Sequence, residues 1–515
     1  MLLKNLKLII LLTLIFNNYL FAQPDIEWGK NYGGTENEIF FWIHQTIDGG
    51  YITAGGTSSN SIDVNMNNGY QDVWVVKVDM LGDIEWEKSY GGSQFDLAIS
   101  MHPTLDGGYI ISGKSSSDDG DVGGNLGSDD FWIIKIDMSG NIEWEKNYGG
   151  SYYEYACVAK QTTDGGYIVA GDTKSDDGNV GENYGEEDAW ILKLDELGNI
   201  EWSKIYGGSD VDKVYDLVLV EDGGYVVASM SKSDDGDVGV NNGGEEFWIF
   251  KIDSLGNLEW EKNYGGSDDE QVQSIVKIKD NGGYIAVGIT YSSDGDISSM
   301  NGGSDFWVVK MDLEGNLVWE KNYGGSGYER ATSIQQTNDD GFIIAGSTNS
   351  NDGDISVNAG LTDFWIIKID EVGNMEWEKT YGGASDEAPF SIQQTTDDGY
   401  VIAGRSRSDN GDVPDNYGGT DCWILKLAPV PVGISTTEYA PEISISPNPT
   451  QGLFTIQIDS FSDPVSISIT NNLGILVYSK NDVQSELQID ELPKGNYFIN
   501  IASEKINLTK KIIVQ

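Results

Sequence analysis

The sequence repeats one motif seven times, at a spacing of 58 or 59 residues. Each copy contains a segment close to FWIIKID, a short turn, NIEWEKNYGG, a DGGY turn and an Asp-rich loop. A period of this length, with several short strand patterns in each copy, is typical of propellers and solenoids. Fourteen of the fifteen tryptophans recur with the motif, and only Trp42 stands outside. One series is Trp28, Trp86, Trp144, Trp202, Trp260, Trp319 and Trp377, and the other is Trp74, Trp132, Trp190, Trp248, Trp307, Trp365 and Trp423.

Residues 91–150 show the strand pattern of one copy. Apolar segments predict strands over residues 96–103, 109–115, 131–137 and 142–148. The Asp106-Gly107-Gly108 segment predicts a hairpin turn, because both glycines tolerate positive φ. No segment has a sustained helical period. Four antiparallel strands per copy form one propeller blade, so the sequence predicts an all-β, seven-bladed β-propeller.

The phase of the repeats predicts how the ring closes. Residues 26–32 correspond to strand four of a blade, and the last copy ends at strand three, residues 423–427. We expect the N-terminal strand to complete the seventh blade, because this closure removes free sheet edges. The longer spacing of the fifth copy places a one-residue insertion near Lys279.

The two ends of the chain differ from the repeats. Residues 1–22 have the pattern of a signal peptide, with Lys4 and Lys7 before a short apolar segment and Leu20-Phe21-Ala22 as the cleavage site. No later segment of 18 apolar residues predicts a transmembrane helix. We therefore expect an exported protein with a signal peptide at 1–22, a propeller at 23–428, a linker at 429–441 and a C-terminal domain at 442–515.

The chain is strongly acidic, with a net charge of −52. Residues 1–22 contribute +2 and residues 440–515 contribute −3, so nearly all of this charge lies in the repeats. Such a surface repels nucleic acid and anionic lipid. It suits cations, basic partners, or solubility alone.

Motifs of common enzyme classes are missing, since the sequence has no GxSxG, P-loop, HExxH or CxxC. Cys157 and Cys422 fall where other copies have apolar residues, which predicts buried thiols rather than a disulfide. His44 and His102 share one position of two copies and are interpreted as ordinary polar strand residues. The sequence therefore favours a protein that is not an enzyme.

Two acidic positions recur in all seven copies, as does a lysine in strand three. Equal use in every copy indicates a structural role, in which the carboxylate accepts backbone N–H bonds or pairs with that lysine. The first position is Glu38, Asp96, Glu154, Asp212, Glu270, Glu329 and Glu387, and the second is Asp72, Asp130, Asp188, Glu246, Asp305, Asp363 and Asp421.

The Asp-rich loops contain Asp-Gly-Asp segments. Clustered carboxylates suit Ca²⁺, which takes six to eight oxygen ligands, although the spacing differs from that of an EF-hand. The alternative is a set of Asx turns in solvated loops. The candidate ligands are Asp119, Asp121, Asp235, Asp237, Asp294, Asp296, Asp352 and Asp354.

Strand polarity places the Asp-rich loops and the Tyr-Gly-Gly segments at one end of the blades. At this end, positions around the close of strand two differ from copy to copy, as expected where a ligand is recognised. All three arginines of the chain lie in blades six and seven, where they could bind an anionic group. The candidate binding residues are Lys114, Asp172, Lys174, Lys232, Tyr291, Arg405 and Arg407.

Residues 442–515 show seven short strand patterns, which predict a small β-sandwich. Their motifs are SPNPTQG at 446–452, NNLG at 471–474, LPKGNYF at 492–498 and KKIIV at 510–514. In this order they resemble the type A sorting domain of the type IX secretion system. The resemblance implies translocation across an outer membrane, a location outside the cell or on its surface, and the secretion machinery as a partner. The repeats also resemble bacterial propeller repeats of the W-x-K-x-YGG kind, which imply no fixed activity.

Three functions stay open at this point. The uniform repeats favour a secreted or surface-displayed binding or scaffold module for a glycan or protein ligand. A polysaccharide-active enzyme would need a carboxylate pair, and the recurrent acids give none that is unique to one blade. A calcium-stabilised adhesin would use the Asp-rich loops.

Overall fold

In the computed structural model, the described residues are 23–430, 442–447, 449–450, 452–459, 465–471, 476–483, 486–490, 492–502 and 507–514. The chain divides into two compact units, with the boundary after Val430. The signal-peptide and linker predictions lie largely outside the described residues. Among these residues, none belongs to a helix with the length and hydropathy of a membrane span.

Residues 23–430 form repeated four-stranded antiparallel sheets, here called sheets one to seven. Within each of the first six, the strands pair in chain order. The bounds are β1 (Ile26–Tyr32); sheet one, β2 (Glu38–Gln45), β3 (Tyr51–Thr57), β4 (Asp72–Val78) and β5 (Ile84–Tyr90); sheet two, β6 (Asp96–Pro103), β7 (Tyr109–Ser115), β8 (Asp130–Ile136) and β9 (Ile142–Tyr148); sheet three, β10 (Glu154–Gln161), β11 (Tyr167–Thr173), β12 (Asp188–Leu194) and β13 (Ile200–Tyr206).

The remaining strands of this unit follow the same pattern. They are sheet four, β14 (Asp212–Leu219), β15 (Tyr225–Ser231), β16 (Glu246–Ile252) and β17 (Leu258–Tyr264); sheet five, β18 (Glu270–Lys277), β19 (Tyr284–Thr290), β20 (Asp305–Met311) and β21 (Leu317–Tyr323); sheet six, β22 (Glu329–Gln336), β23 (Phe342–Thr348), β24 (Asp363–Ile369) and β25 (Met375–Tyr381); and sheet seven, β26 (Glu387–Gln394), β27 (Tyr400–Ser406) and β28 (Asp421–Leu427) with β1.

The strands predicted for residues 91–150 agree with β6 to β9 to within one residue. The third strand of each sheet is buried on both faces, because each sheet lies between two others. In β8, Trp132 packs in the core shared with sheet one, while Phe131 packs in the core shared with sheet three. Burying large aromatic side chains on both faces gives each interface a large apolar area.

The N-terminal strand completes the last sheet, as its phase predicts. β1 pairs antiparallel with β28, with Tyr32 opposite Cys422. Residues of sheets one and seven also share one hydrophobic core, which includes Trp74 and Ile424. The first and last copies are therefore in contact as well as paired. The insertion near Lys279 forms a short 3₁₀ turn, η1 (Lys279–Asn281).

A hydrogen bond from the last strand of each sheet ties it to the next sheet. The Tyr90 hydroxyl, for example, donates to the carbonyl oxygen of Gly140 at 2.5 Å. Tyr381 of sheet six donates to the Pro24 oxygen, just before β1, at 2.9 Å. The other bonds run from Tyr32 to Gly82, Tyr148 to Gly198, Tyr206 to Gly256, Tyr264 to Gly315 and Tyr323 to Gly373.

One alternative from the sequence was that the strand-three lysine pairs with the recurrent acids. The structure shows other partners for this lysine. Lys135 instead contacts Asp106 of the hairpin turn at 2.9 Å and Glu143 of the next strand at 2.7 Å. These acids lie at the opposite end of the strand from Asp130. Lys310 differs from the other copies and donates to a carbonyl oxygen, because Val318 replaces the strand-four glutamate.

The second unit contains two antiparallel sheets. Side chains of both sheets, including Phe454 and Ile499, share one hydrophobic core. One sheet has the order β29 (Glu442–Ser446), β30 (Phe454–Asp459), β33 (Glu486–Ile489), and the other has the order β32 (Leu476–Val483), β31 (Val465–Asn471), β34 (Gly495–Ala502), β35 (Asn507–Val514).

Candidate binding site

A cavity of about 1040 Å³ lies where the first strands of all the sheets meet. These strands, β2, β6, β10, β14, β18, β22 and β26, are called the inner strands. The cavity wall therefore receives side chains from every copy of the repeat. Some wall positions recur, such as Ser333-Ile334 and Ser391-Ile392, whereas others differ from copy to copy.

A β-bulge in each inner strand shapes the wall. In β10 the register with β11 shifts between Ala156 and Val158, which leaves Cys157 as the extra residue. A bulge redirects side chains, and here the extra residue lines the cavity in every sheet. The bulge residues differ in chemistry from copy to copy. They are Phe41, Ile99, Cys157, Tyr215, Gln273, Thr332 and Phe390.

One side of the wall is aromatic. The rings of Phe41 and Phe390 lie 4.8 Å apart between their centroids. Trp42 stacks on His44 at 5.5 Å and meets the edge of His102 at 5.4 Å. Burial lowers the pKa of both imidazoles, most strongly that of His102. The two histidines, interpreted above as ordinary strand residues, are thus held neutral beside the cavity.

The charged side chains of the wall oppose the charge of the protein. Five basic and three acidic residues line the cavity, a net charge of +2 in a chain of −52. Lys114 pairs with Asp129 at 2.6 Å, and Lys160 pairs with Asp216 at 3.1 Å. Ion pairs therefore neutralise much of the wall formed by sheets two to four.

Asp172 is the most perturbed acid of this wall. Its side chain is buried in β11 and faces the cavity. Burial raises its pKa to about 7, against the opposing effect of Lys213. Cys157 lies in the same sector as a buried free thiol whose pKa is raised by burial. Cys422 is also free and buried, as predicted.

The structure brings only two of the predicted binding residues into the cavity wall, Lys114 and Asp172. Lys174 pairs with Glu187 at 3.0 Å, and Lys232 pairs with Glu245 at 3.0 Å. The other three, Tyr291, Arg405 and Arg407, also lie outside the lining residues.

The recurrent acids of neighbouring sheets meet around the first glycine of Tyr-Gly-Gly. A Cβ on Gly91 would lie 2.7 Å from an oxygen of both Asp72 and Asp96, so the glycine is required by space. Asp96 accepts hydrogen bonds from Gly92 N and Ser117 Oγ, both at 2.8 Å. The corresponding pairs are Asp130 with Glu154, Asp188 with Asp212, Glu246 with Glu270, Asp305 with Glu329, Asp363 with Glu387 and Asp421 with Glu38.

The two acids of each pair have unequal partners. Asp72 accepts a bond from Asn68 N at 2.7 Å through one oxygen, while its other oxygen is buried without a hydrogen-bond partner. The same oxygen is unpartnered in all seven copies. Burial raises the pKa of Asp72 to about 6, and the negative charge of Asp96 adds to this effect.

The carboxylates predicted to bind calcium contact backbone N–H groups of the Tyr-Gly-Gly segments. Asp119 accepts from Ser93 N at 2.7 Å, and Asp121 accepts from Gly91 N at 3.3 Å. Within the described ranges, no group of three or more His, Cys, Asp or Glu residues is placed to hold a metal ion. Calcium binding stays a prediction. The equivalent carboxylate bonds join Asp235 to Ser209, Asp294 to Ser267, Asp296 to Gly265, Asp352 to Ser326 and Asp354 to Gly324. Asp237 donates its backbone N–H to the carbonyl oxygen of Gly207 at 2.9 Å.

Sequence reasoning missed most of the wall because it sought variation after strand two. One signal was available, since Trp42 alone stands outside both tryptophan series and lines the cavity. The bulges gave no recognisable signal, because an inserted residue recurs in every copy and leaves the spacing unchanged.

Residues 444–515 match the family model described as the secretion system C-terminal sorting domain. The tail resemblance is thus confirmed, and it implies export through the type IX secretion system to the cell surface or the extracellular space. Regulatory protein FlaEY of Caulobacter vibrioides is 22% identical over an alignment of 379 residues that covers 63% of this chain. The chain spans only 38% of the length of that protein.

Three solved structures are similar at low identity. The extracellular domain of the one-component system BT4673 from B. thetaiotaomicron is 10% identical, with a TM-score of 0.39, over 94% of this chain and 59% of that one. PorZ, a surface component of the type IX secretion system of Porphyromonas gingivalis, is 12% identical, with a TM-score of 0.30, over 88% and 65%. The Pan2 WD40 domain of Neurospora crassa is 12% identical, with a TM-score of 0.42, over 78% and 91%.

Proposed function

We propose that the protein is a secreted or surface-displayed binding module that holds its ligand in the central cavity. In this proposal, residues 23–428 form a closed seven-bladed propeller and residues 442–515 form a small β-sandwich that engages the secretion machinery. Pairing of β1 with β28 and the core shared by sheets one and seven support the closed ring. The core shared by the two tail sheets supports the sandwich.

One observation carries the binding function. The bulge position lines the cavity in every sheet. Its residue type differs from sheet to sheet, whereas the residues of the cores between sheets recur in each copy. Repetition satisfies the needs of the fold, so it does not account for a wall with aromatic, amide, thiol and charged groups. A largely preformed concave site with a few polar groups is the usual form of a ligand pocket.

Ligand screening of the mature chain tests this proposal. A glycan array and a peptide array identify a ligand, and calorimetry then compares the wild type with Trp42→Ala and Phe390→Ala. We expect both variants to bind about tenfold more weakly, because loss of an aromatic contact costs about 1–2 kcal/mol. Tyr291→Ala, outside the wall, is the matched control. Equal affinity of all variants would place the ligand elsewhere.

A polysaccharide-active enzyme is the second candidate, and Asp172 favours it. Its carboxyl is unique to sheet three, faces the cavity and has a pKa of about 7, which suits a general acid. Turnover of a glycan by the wild type and its loss in Asp172→Asn would establish this activity. Binding without turnover leaves the binding module as the function.

A further inference from the structure

We propose that Arg330, Arg405 and Arg407 form a carboxylate receptor at the cavity mouth, and that the ligand is an acidic sugar. This inference rests on the proposed binding function and names its ligand class. The chain has only these three arginines, and all belong to sheets six and seven.

The fold brings the three residues to one place. Arg330 is the second residue of inner strand β22, and Ala388 holds the equivalent position of the neighbouring inner strand β26. Arg405 pairs in register with Ala388, which has a small side chain. Arg407 follows directly after β27. Burial lowers the pKa of the half-buried Arg405, and the positive charges of Arg407 and Arg330 add to this effect while Asp386 opposes it.

Two of these arginines have no acidic partner. Arg330 donates to the neutral Gln273 Oε1 at 2.9 Å, and neither it nor Arg405 has a carboxylate within 4.0 Å among the described residues. Arg407 lies 3.7 Å from Asp386, its one acidic contact among the described residues, and its Nε donates to Thr420 Oγ1 at 3.1 Å. Lys114, Lys160 and Lys213, in contrast, each pair with an acid at 2.6 to 3.1 Å.

Unpaired arginines in such an acidic protein call for a ligand with the opposite charge. A guanidinium group presents a planar set of donors that fits a carboxylate with two hydrogen bonds. Asp386 is the one acid paired with the three arginines among the described residues, so the arginine cluster keeps a net positive charge.

The adjoining wall describes the rest of the ligand. Phe390 and Phe41 offer an apolar surface to the face of a ring. Hydroxyl and amide groups of the same sheets line the cavity beside them, namely Thr332, Ser333, Gln335, Ser391 and Gln393. A carboxylate on a hydroxyl-rich ring with one apolar face is the chemistry of a uronic or related acidic sugar.

Calorimetry with the mature full-length protein tests the proposal, using an oligogalacturonate, its carboxyl-reduced neutral form, a sulfated oligosaccharide and a peptide with a free C-terminal carboxylate. We expect binding of the uronate at least tenfold tighter than that of its reduced form, because the reduced form keeps the sugar ring but lacks the charged partner of the guanidinium groups. The Arg330→Gln/Arg405→Gln variant should lose this preference. Lys232→Gln, which removes a paired lysine, should keep it.

Other outcomes overturn the proposal in different ways. Equal binding of the uronate and its reduced form, or an unchanged preference in the double variant, rejects the carboxylate receptor. Arginine-dependent binding of the peptide alone rejects the sugar, and such binding of the sulfated sugar alone rejects the carboxylate as the recognised group. Binding of a neutral ligand that is lost in Trp42→Ala but kept in the double variant overturns this inference alone. Absence of any cavity ligand overturns the proposed function as well.

Discussion

The interfaces between sheets and the wall of the cavity are built from the same repeat but follow opposite rules. Between sheets, the strand-three tryptophans, the Tyr-to-Gly hydrogen bonds and the carboxyl pairs recur in each copy. On the wall, the bulge position holds seven residues of five or more chemical kinds. The repeated residues stabilise the interfaces between sheets. The bulge positions of the cavity wall are not constrained in this way, so they can vary with the proposed ligand.

Replacing an interface tryptophan should lower the free energy of unfolding more than any other change proposed here. Trp132 is 1% exposed, so Trp132→Ala should reduce the free energy of unfolding by about 3–5 kcal/mol, through lost burial and a cavity. Half-buried Trp42 on the wall is the control, and Trp42→Ala should cost about 1 kcal/mol while weakening ligand binding. Urea unfolding followed by fluorescence measures both. Equal losses would contradict the division between interface and wall.

Adding a side chain at the glycine that lies between the paired carboxylates should give the next largest loss of stability. Gly91→Ala places a Cβ 2.7 Å from two carboxylate oxygens and should cost about 2–4 kcal/mol. Gly107 has a positive φ but no atom within 4 Å of the position of a Cβ. The control Gly107→Ala should therefore cost only about 1 kcal/mol, from backbone strain. Thermal melting would rank the two variants, and an equal shift would argue against the steric reason.

The carboxyl pairs should make the interfaces weaker at higher pH. Burial raises the folded pKa of Asp72 and of four of its aspartate counterparts to about 6 and that of Asp188 to about 7, and it also raises the pKa of Glu246. The folded state therefore binds protons more tightly than the unfolded state, and this stabilisation is lost as the pH rises from about 4 to about 7. In Asp72→Asn the decline should be smaller, and the variant should melt above the wild type at pH 8. If the stability of the variant declined more steeply with pH than that of the wild type, the raised pKa of Asp72 would be refuted.

The hydrogen bonds between sheets should each contribute a smaller amount. Tyr90→Phe removes the donor to Gly140 O and keeps the buried ring, so it should cost about 1 kcal/mol. Tyr291→Phe, at a half-exposed hydroxyl, should cost nothing measurable. Melting midpoints of the two variants provide the test, and a neutral Tyr90→Phe would show that water replaces the bond.

Calcium should have the smallest effect. The Asp-rich carboxylates already accept backbone N–H bonds, as Asp119 does from Ser93, so excess chelator should leave the melting temperature unchanged. A rise of several degrees on addition of Ca²⁺ would instead support a calcium-stabilised adhesin.

Much of the fold was predictable because it depends on local patterns. The strand bounds of residues 91–150, the closing strand at 26–32 and the turn near Lys279 follow from alternation, glycine turns and repeat phase. The sorting domain was predictable from four short motifs, and the match of residues 444–515 confirms it. Of the predicted binding residues, only Lys114 and Asp172 line the cavity.

What the sequence determined by itself is the repeated unit, because strand pattern and turn chemistry act between neighbours along the chain. What only the tertiary structure decided is which side chains meet across copies. The pairing of Asp72 with Asp96 and the meeting of Cys157 and Phe390 in one cavity wall depend on the packing of separate sheets. The repeat shows which positions recur, but it does not show which of them meet, because these contacts join residues that are distant in the chain.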